Sequence, residues 1–517
     1  MTDMSRRNLL GALAAAGAHP VLSGGAAFAQ QSELHRFGFD DVIRRARDLA
    51  RAPFEDAQPR LPEAFDNLDY DAWRDIRFRP DHALLPGGAF RLQTFHLGFL
   101  YRRAVTVNTI RDGIATPIAY SPAMFDYGRV KLDKPPPLNT GFAGFRLHYP
   151  LNEPHVHDEV ISFLGASYFR FLGRGQKYGL SARALCVQAG LGDESFPFFR
   201  EFWIDAPAGG GNRIVVYALL DGAAATGAFR FDLVAGQETT LDVQASLFAR
   251  RAGLKFGLAP LTSMYMTGEN DRRVHDGFRG ELHDSDGLSI HTGNEEWLWR
   301  PLGNPPQERI TTFSDPGTRG FGLLQRDRSF EAYQDLELAY ESRPSYFVEP
   351  HGDWGEGRVE LIELPTQDET NDNIVVSWVG AAPPEPGKAY SYAYRLTAAL
   401  DLPRLAPNGR VVNTFQTSAR ALGSAEAANA ETRRFLVDFS GGDLSYFVSD
   451  PSAVEVVASV ANGQVLRVSV FANPHIDGLR ALFDVKVKSG QTGDLRLFLR
   501  NGQRTLTETW TMPWTAP

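Results

Sequence analysis

The residues best equipped for chemistry lie in two acidic strings, His283-Asp284-Ser285-Asp286 and Glu369-Thr370-Asn371-Asp372-Asn373. Carboxylates in such strings do acid–base work, hold a cation or cap turns. With 62 acidic residues in the chain, turn capping is the default for any single one. Asp284-Ser285-Asp286-Gly287 has the look of a calcium loop, but the third acidic position and the closing glutamate of that pattern are missing. His155-Val156-His157-Asp158 carries metal-ligand residue types, yet no third ligand string stands out, so no metal is expected. Gly173-Arg174-Gly175 and Gly209-Gly210-Gly211 lack the strand-to-helix setting of a phosphate cradle, and no cofactor is implied. The single cysteine, Cys186, sits in the apolar run Ala184-Leu185-Cys186-Val187 and reads as a small buried hydrophobe.

The elements that must position these strings are mostly strands. At 517 residues the chain exceeds what one core usually organises, so two domains are expected. Asp40 can cap a helix with Val42, Ile43, Ala46, Leu49 and Ala50 at helical spacing, and 69–76 resembles a second helix. From about Phe90 to Leu396 the chain is a succession of short runs rich in Val, Phe, Tyr, Leu and Thr, separated by turn clusters. Arg213–Leu219 and Phe229–Leu233 are examples, the second alternating at period two. Pro403 and Pro407 mark a linker over 401–409, which separates a domain over 30–400 from one over 410–517. In the latter, runs at 435–439, 454–460, 465–471, 479–487, 495–499 and 505–512 have the spacing of an immunoglobulin-like sandwich.

Composition narrows the partners. The formal net charge is -9 with no basic block that would track phosphates, which excludes nucleic acid. An aromatic content of 11% suits stacking on sugar rings as well as core packing. Residues 1–29 read as a cleavable export signal: Arg6-Arg7 before a short apolar stretch, then Ala27-Phe28-Ala29 as the cleavage site. The paired arginines match the twin-arginine export machinery, which carries folded chains, and the destination is the periplasm. The apolar stretch is too short to span a bilayer, so no stable membrane insertion is expected.

Several longer strings are more specific than any single short motif. They include Gly141-Phe142-Ala143-Gly144-Phe145-Arg146, Phe163 to Arg170, Tyr178-Gly179-Leu180-Ser181-Ala182-Arg183, Glu201-Phe202-Trp203 and Ala259 to Met264. Further along lie His283 to Asp286, Glu296-Trp297-Leu298-Trp299-Arg300-Pro301-Leu302, Gly320-Phe321-Gly322-Leu323-Leu324-Gln325 and Glu369 to Val375. In this order the strings resemble the osmoregulated periplasmic glucan biosynthesis proteins G and D, the MdoG family; the resemblance covers nearly the whole chain after the signal, and the twin-arginine signal draws it toward the D branch. It implies an all-β protein: a large galactose-mutarotase-like β-sandwich with a cleft, followed by a small immunoglobulin-like β-sandwich.

The resemblance also implies an activity, anomer-inverting cleavage of β-1,2-glucan, with Asp372 as general acid and Asp284 as base. Such cleavage needs one protonated carboxyl for the leaving oxygen and one carboxylate that activates water on the opposite face. Asp372 must then have a raised pKa, through partial burial or a neighbouring carboxylate such as Glu369. His283 and Asp286 either orient Asp284 or satisfy loop backbone groups. Tyr168, Arg170, Tyr178, Arg183, Tyr265, Trp297 and Arg300 are the candidates for lining the glycan cleft. Two alternatives stand beside hydrolysis: transglycosylation with the same acid, and non-catalytic glucan binding in backbone synthesis. The segment 416–432, rich in Ala and Ser, departs most from the D-branch pattern; if it covers the cleft, it governs acceptor choice and rate. A homodimer is compatible with all of these readings.

Overall fold

Alternating apolar residues on long antiparallel runs need a second sheet to bury them, and the chain supplies two. In the computed structural model, residues 36–517 are described except 57–60, 86–87, 133, 207–208, 274–276, 421–422 and 424–427. The export signal at 1–29 lies outside the described residues, as does much of the middle of 416–432. Contacts gather Phe37–Pro517 into one compact unit.

The protein is an all-β sandwich. A 10-stranded sheet faces a 15-stranded sheet, and the strands Arg213–Asp221 and Ala225–Val234 form an antiparallel pair in the larger one. Phe163 and Phe169 of the smaller sheet meet Phe231 of the larger with ring centroids 5.2 Å apart. That contact is the centre of the main core, where Phe145, Phe202 and Leu247 are also fully buried. Rings of this size account for much of the burial that holds two sheets together.

The opening helix runs Phe39–Arg51, but Gly38 rather than Asp40 caps it, and the Asp41 carboxylate accepts from the Gly38 N–H at 2.9 Å. Its buried Val42 and Ala46 lie against Trp203, Leu219 and Phe248 on the outer side of the larger sheet. The second helix is Tyr70–Asp75, capped by Asp69, whose carboxylate accepts from the Ala72 N–H at 2.8 Å.

Beyond residue 410 the runs at 435–439, 454–460, 465–471, 479–487 and 495–499 fall on strands, whereas the run at 505–512 divides into Arg504–Thr505 and Thr509–Thr515. Strands Arg410–Ser418, Thr432–Ser440, Gly463–Asn473 and Gly478–Val487 form a sheet of their own, the first of them not among the expected runs. The larger sheet does not stop at residue 400. Strand Thr509–Thr515 pairs in parallel with Trp297–Pro301, placing Leu298 opposite Thr509 and Trp299 opposite Trp510. Trp510 is fully buried and donates its indole N–H to Thr414 at 3.0 Å.

Candidate active site

Asp372 stands just before strand Ile374–Gly380 of the smaller sheet, and Asp284 lies between strands Leu282–His283 and Gly287–His291. Asp284 is buried and its carboxylate is ion-paired with the Arg343 guanidinium. Asp372 is open to solvent, yet the protein around it desolvates the carboxyl and pushes its pKa up, against the pull of Arg170 and Arg343. The two aspartates are therefore linked electrically through one arginine. Arg343 is itself pulled down to about 10, by burial and then by the like charge of Arg170.

Arg343 is held from several sides. Its guanidinium lies 3.6 Å over the Tyr340 ring, and Gly179 leaves it room, since a Cβ there would meet the arginine's Cβ and Cδ at 2.9 Å. The glycine of the Tyr178-Gly179-Leu180 string thus has a packing reason. Tyr340 donates its hydroxyl to Glu369 at 3.1 Å, and Arg279 pairs with Glu369 at 2.6 Å. Glu369 is a spoke of this basic cluster. Desolvation by the surrounding protein, not a neighbouring carboxylate, is the leading cause of the shift at Asp372.

Behind Asp284 lies a buried polar hub. His283 presents Nδ1 to Gln325 Oε1 and Nε2 to Glu281, both at 2.9 Å. Burial alone would lower the His283 pKa, but Glu281, with Asp286 and Glu269, outweighs it and favours the imidazolium. The Gln325 amide donates to the His283 carbonyl at 3.0 Å, to the Tyr333 hydroxyl at 2.8 Å and to the Tyr340 carbonyl at 3.4 Å. One glutamine side chain thereby ties the loop of Asp284 to the turn of Arg343. Asp286 accepts from the Arg326 and Asp327 N–H groups at 2.8 and 2.9 Å, so it braces the loop backbone.

Tyr168, Arg170 and Asp372 come together. Arg170 is exposed and donates Nε to Ser181 at 2.7 Å, and Tyr168 lies close enough to Asp372 to feel its charge. The other cleft candidates do different work. Tyr178 donates to Glu159 at 2.8 Å. Arg183 is buried in a pair with Glu194 at 2.8 Å and lies 5.0 Å over the Tyr168 ring, supporting it from beneath. Tyr265 is fully buried, bonds Asn270 at 2.6 Å and stacks on His283 at 5.3 Å. Trp297 stacks on His291 at 4.2 Å, near the junction with the C-terminal strands. Arg300 is buried and paired with the buried Glu363 at 2.9 Å.

The family model described as "Periplasmic glucan biosynthesis protein, MdoG" matches residues 37–514. The chain belongs to this family. It is 42% identical over 499 residues to a probable glucans biosynthesis protein D of Shewanella oneidensis, covering 95% of this chain and 91% of the relative. It is also 42% identical over 524 residues to glucans biosynthesis protein D of Xanthomonas campestris pv. campestris, covering 99% and 97%. Membership places the protein in periplasmic glucan biosynthesis, and no helix among the described residues is long and apolar enough to cross a membrane.

For this MdoG-family chain, Arg343, Arg279, Tyr340 and Gln325 surround the candidate aspartates without having been singled out from the sequence. Arg343 stands in Glu341-Ser342-Arg343-Pro344, which has no chemical signature. Gln325 closes a string singled out for resemblance alone, and its glutamine was the available signal.

Proposed function

We propose that the protein cleaves β-1,2-glucan with inversion, Asp372 serving as general acid and Asp284 as base. The observation that carries the reading is the contrast between the two carboxyls: desolvation by the surrounding protein favours the protonated form of the solvent-facing Asp372, while the buried Asp284 is paired with Arg343. In the step proposed, Asp372 gives its proton to the glycosidic oxygen as the bond to the anomeric carbon breaks. Water attacks the opposite face and passes a proton to Asp284. Arg170, Arg343 and Tyr168 line the approach to Asp372, and the names of the relatives support glucan as the substrate. Export through the twin-arginine route and the division into 30–400, 401–409 and 410–517 belong to the same reading.

The test is incubation of the mature protein with linear β-1,2-glucan beside Asp372→Asn and Asp284→Asn, with products resolved by size, linkage and anomeric configuration. Shorter linear products that disappear in both variants support hydrolysis. Cyclic or newly linked products assign transfer by the same acid instead. Binding without any change in the glucan sinks the catalytic reading and leaves a scaffolding role.

A further inference from the structure

The strand that begins beside Asp372 ends at a second cavity. Strand Ile374–Gly380 spans roughly 23 Å at the rise of an extended chain. At its far end Trp378, Val379 and Gly380 line a cavity of about 510 Å³, within the range of ligand sites. The cavity lies where strand Ala389–Ala399 of the larger sheet, carrying Tyr390 and Tyr392, faces the smaller sheet.

Its lining has the composition of a sugar site. Trp354 meets Trp378 at 5.4 Å and Tyr392 at 5.7 Å in edge-on arrangements, so the wall is aromatic. Lys255, Asp353, Glu356 and Arg358 supply donors and acceptors of both signs, as a polyhydroxylated neutral ligand requires. Trp354 and the two tyrosines have acceptors inside the protein: Ala393 at 3.1 Å, Pro383 at 3.3 Å and Ala184 at 3.4 Å. Trp378 does not. It is 4% exposed, and its indole N–H has no acceptor. A buried donor left unmade is unfavourable, and a hydroxyl that reached it would relieve that cost.

We infer that this cavity is an accessory glycan-binding site that takes a segment of β-linked glucose chain remote from Asp372. It rests on the glucan reading above and adds a second point of attachment. A chain held at both points presents its scissile bond at a raised local concentration, so long glucans gain over short ones.

The test is calorimetric titration of linear β-1,2-gluco-oligosaccharide into the Asp372→Asn protein, alone and combined with Trp354→Ala or Leu191→Arg. Leu191 lines the cavity and is 55% exposed, so an arginine there obstructs the mouth without entering the core. The expected result is two equivalents bound by the Asp372→Asn protein and one by either double variant. In the catalytically intact background, Leu191→Arg should leave kcat on short oligosaccharides unchanged while lowering the preference for long glucan about tenfold. One equivalent in every protein, or two retained in both double variants, overturns the inference alone if wild type still cleaves glucan. No binding and no cleavage by any protein overturns the glucan reading together with it.

Discussion

Arg343 is ion-paired with Asp284 and lies within the electrostatic reach of Asp372, so one guanidinium addresses both carboxyls. Its position over the Tyr340 ring, at 3.6 Å, leaves it little freedom to choose another partner.

Replacement of Arg343 tests whether that geometry matters. Arg343→Ala should lower kcat on linear glucan about 100-fold, the cost of misplacing a reacting group. Arg343→Lys should recover little, because a point charge cannot hold the planar stack and the carboxylate together. Steady-state kinetics checks both, and wild-type kcat in Arg343→Ala would remove the residue from the mechanism.

Arg170 opposes the upward shift at Asp372. The acid must be protonated to act, so activity falls as pH rises through its pKa. Loss of the positive charge lets the carboxyl keep its proton to higher pH. The alkaline limb of the kcat profile should therefore move upward in Arg170→Gln; a limb that stays or moves down contradicts the assignment of Asp372 as acid.

Gln325 links His283 to Tyr340 by bonds of 2.9 and 3.4 Å. Gln325→Leu strands a buried imidazole donor, at a cost of about 1–3 kcal/mol, and frees the turn that bears Arg343. The expectation is a lower Tm and a reduced kcat with KM nearly unchanged, measured by calorimetry and initial rates. A fall in Tm alone would confine Gln325 to stability.

Glu269 accepts from the Thr414 N–H at 3.1 Å, and burial with the like charges of Glu281 and Asp286 raises its pKa to about 8. In the unfolded chain the group loses its proton near the ordinary value of 4.5. The native state therefore holds more protons above that pH, and its contribution to stability is lost progressively up to about 8. Glu269→Gln, which keeps the acceptor and cannot ionise, should flatten the decline of Tm across that window. An unchanged slope would show that Glu269 ionises freely.

Arg300 separates structural from substrate-binding charge. Arg300→Leu leaves the buried Glu363 with Arg309 at 2.7 Å as its remaining charge partner beside the Gly303 N–H at 2.9 Å, and about 3 kcal/mol of stability should be lost. Denaturant unfolding reads the loss, and KM for glucan should not change. A raised KM at wild-type stability would return Arg300 to the cleft.

Much of the fold was legible because it depends on local rules. Asp69 caps its helix as its residue type predicts. Phe229, Phe231 and Leu233 are buried at period two against the facing sheet. The first helix shows where such rules end, since a glycine capped by Asp41 replaced the expected Asp40. At the candidate site, Asp284, Asp372 and Arg170 were singled out through long strings of residues. Arg343 was not, because its partner is 59 residues away and nothing in its neighbours declares a charge pair.

By itself the sequence determined the all-β class and membership in the glucan biosynthesis family. These follow from composition, periodicity and extended similarity, which need no coordinates. Only the tertiary structure decided which charges meet: that Arg343 pairs with Asp284, that Glu369 turns to Arg279, and that Arg183 and Arg300 close internal pairs. It also decided that strand Thr509–Thr515 extends the sheet that carries Trp297–Pro301. The physical reason is common to all of these. An ion pair or a strand pairing between distant segments is set by how the loops close, and a residue's type does not encode which of many opposite charges that closure will bring within reach.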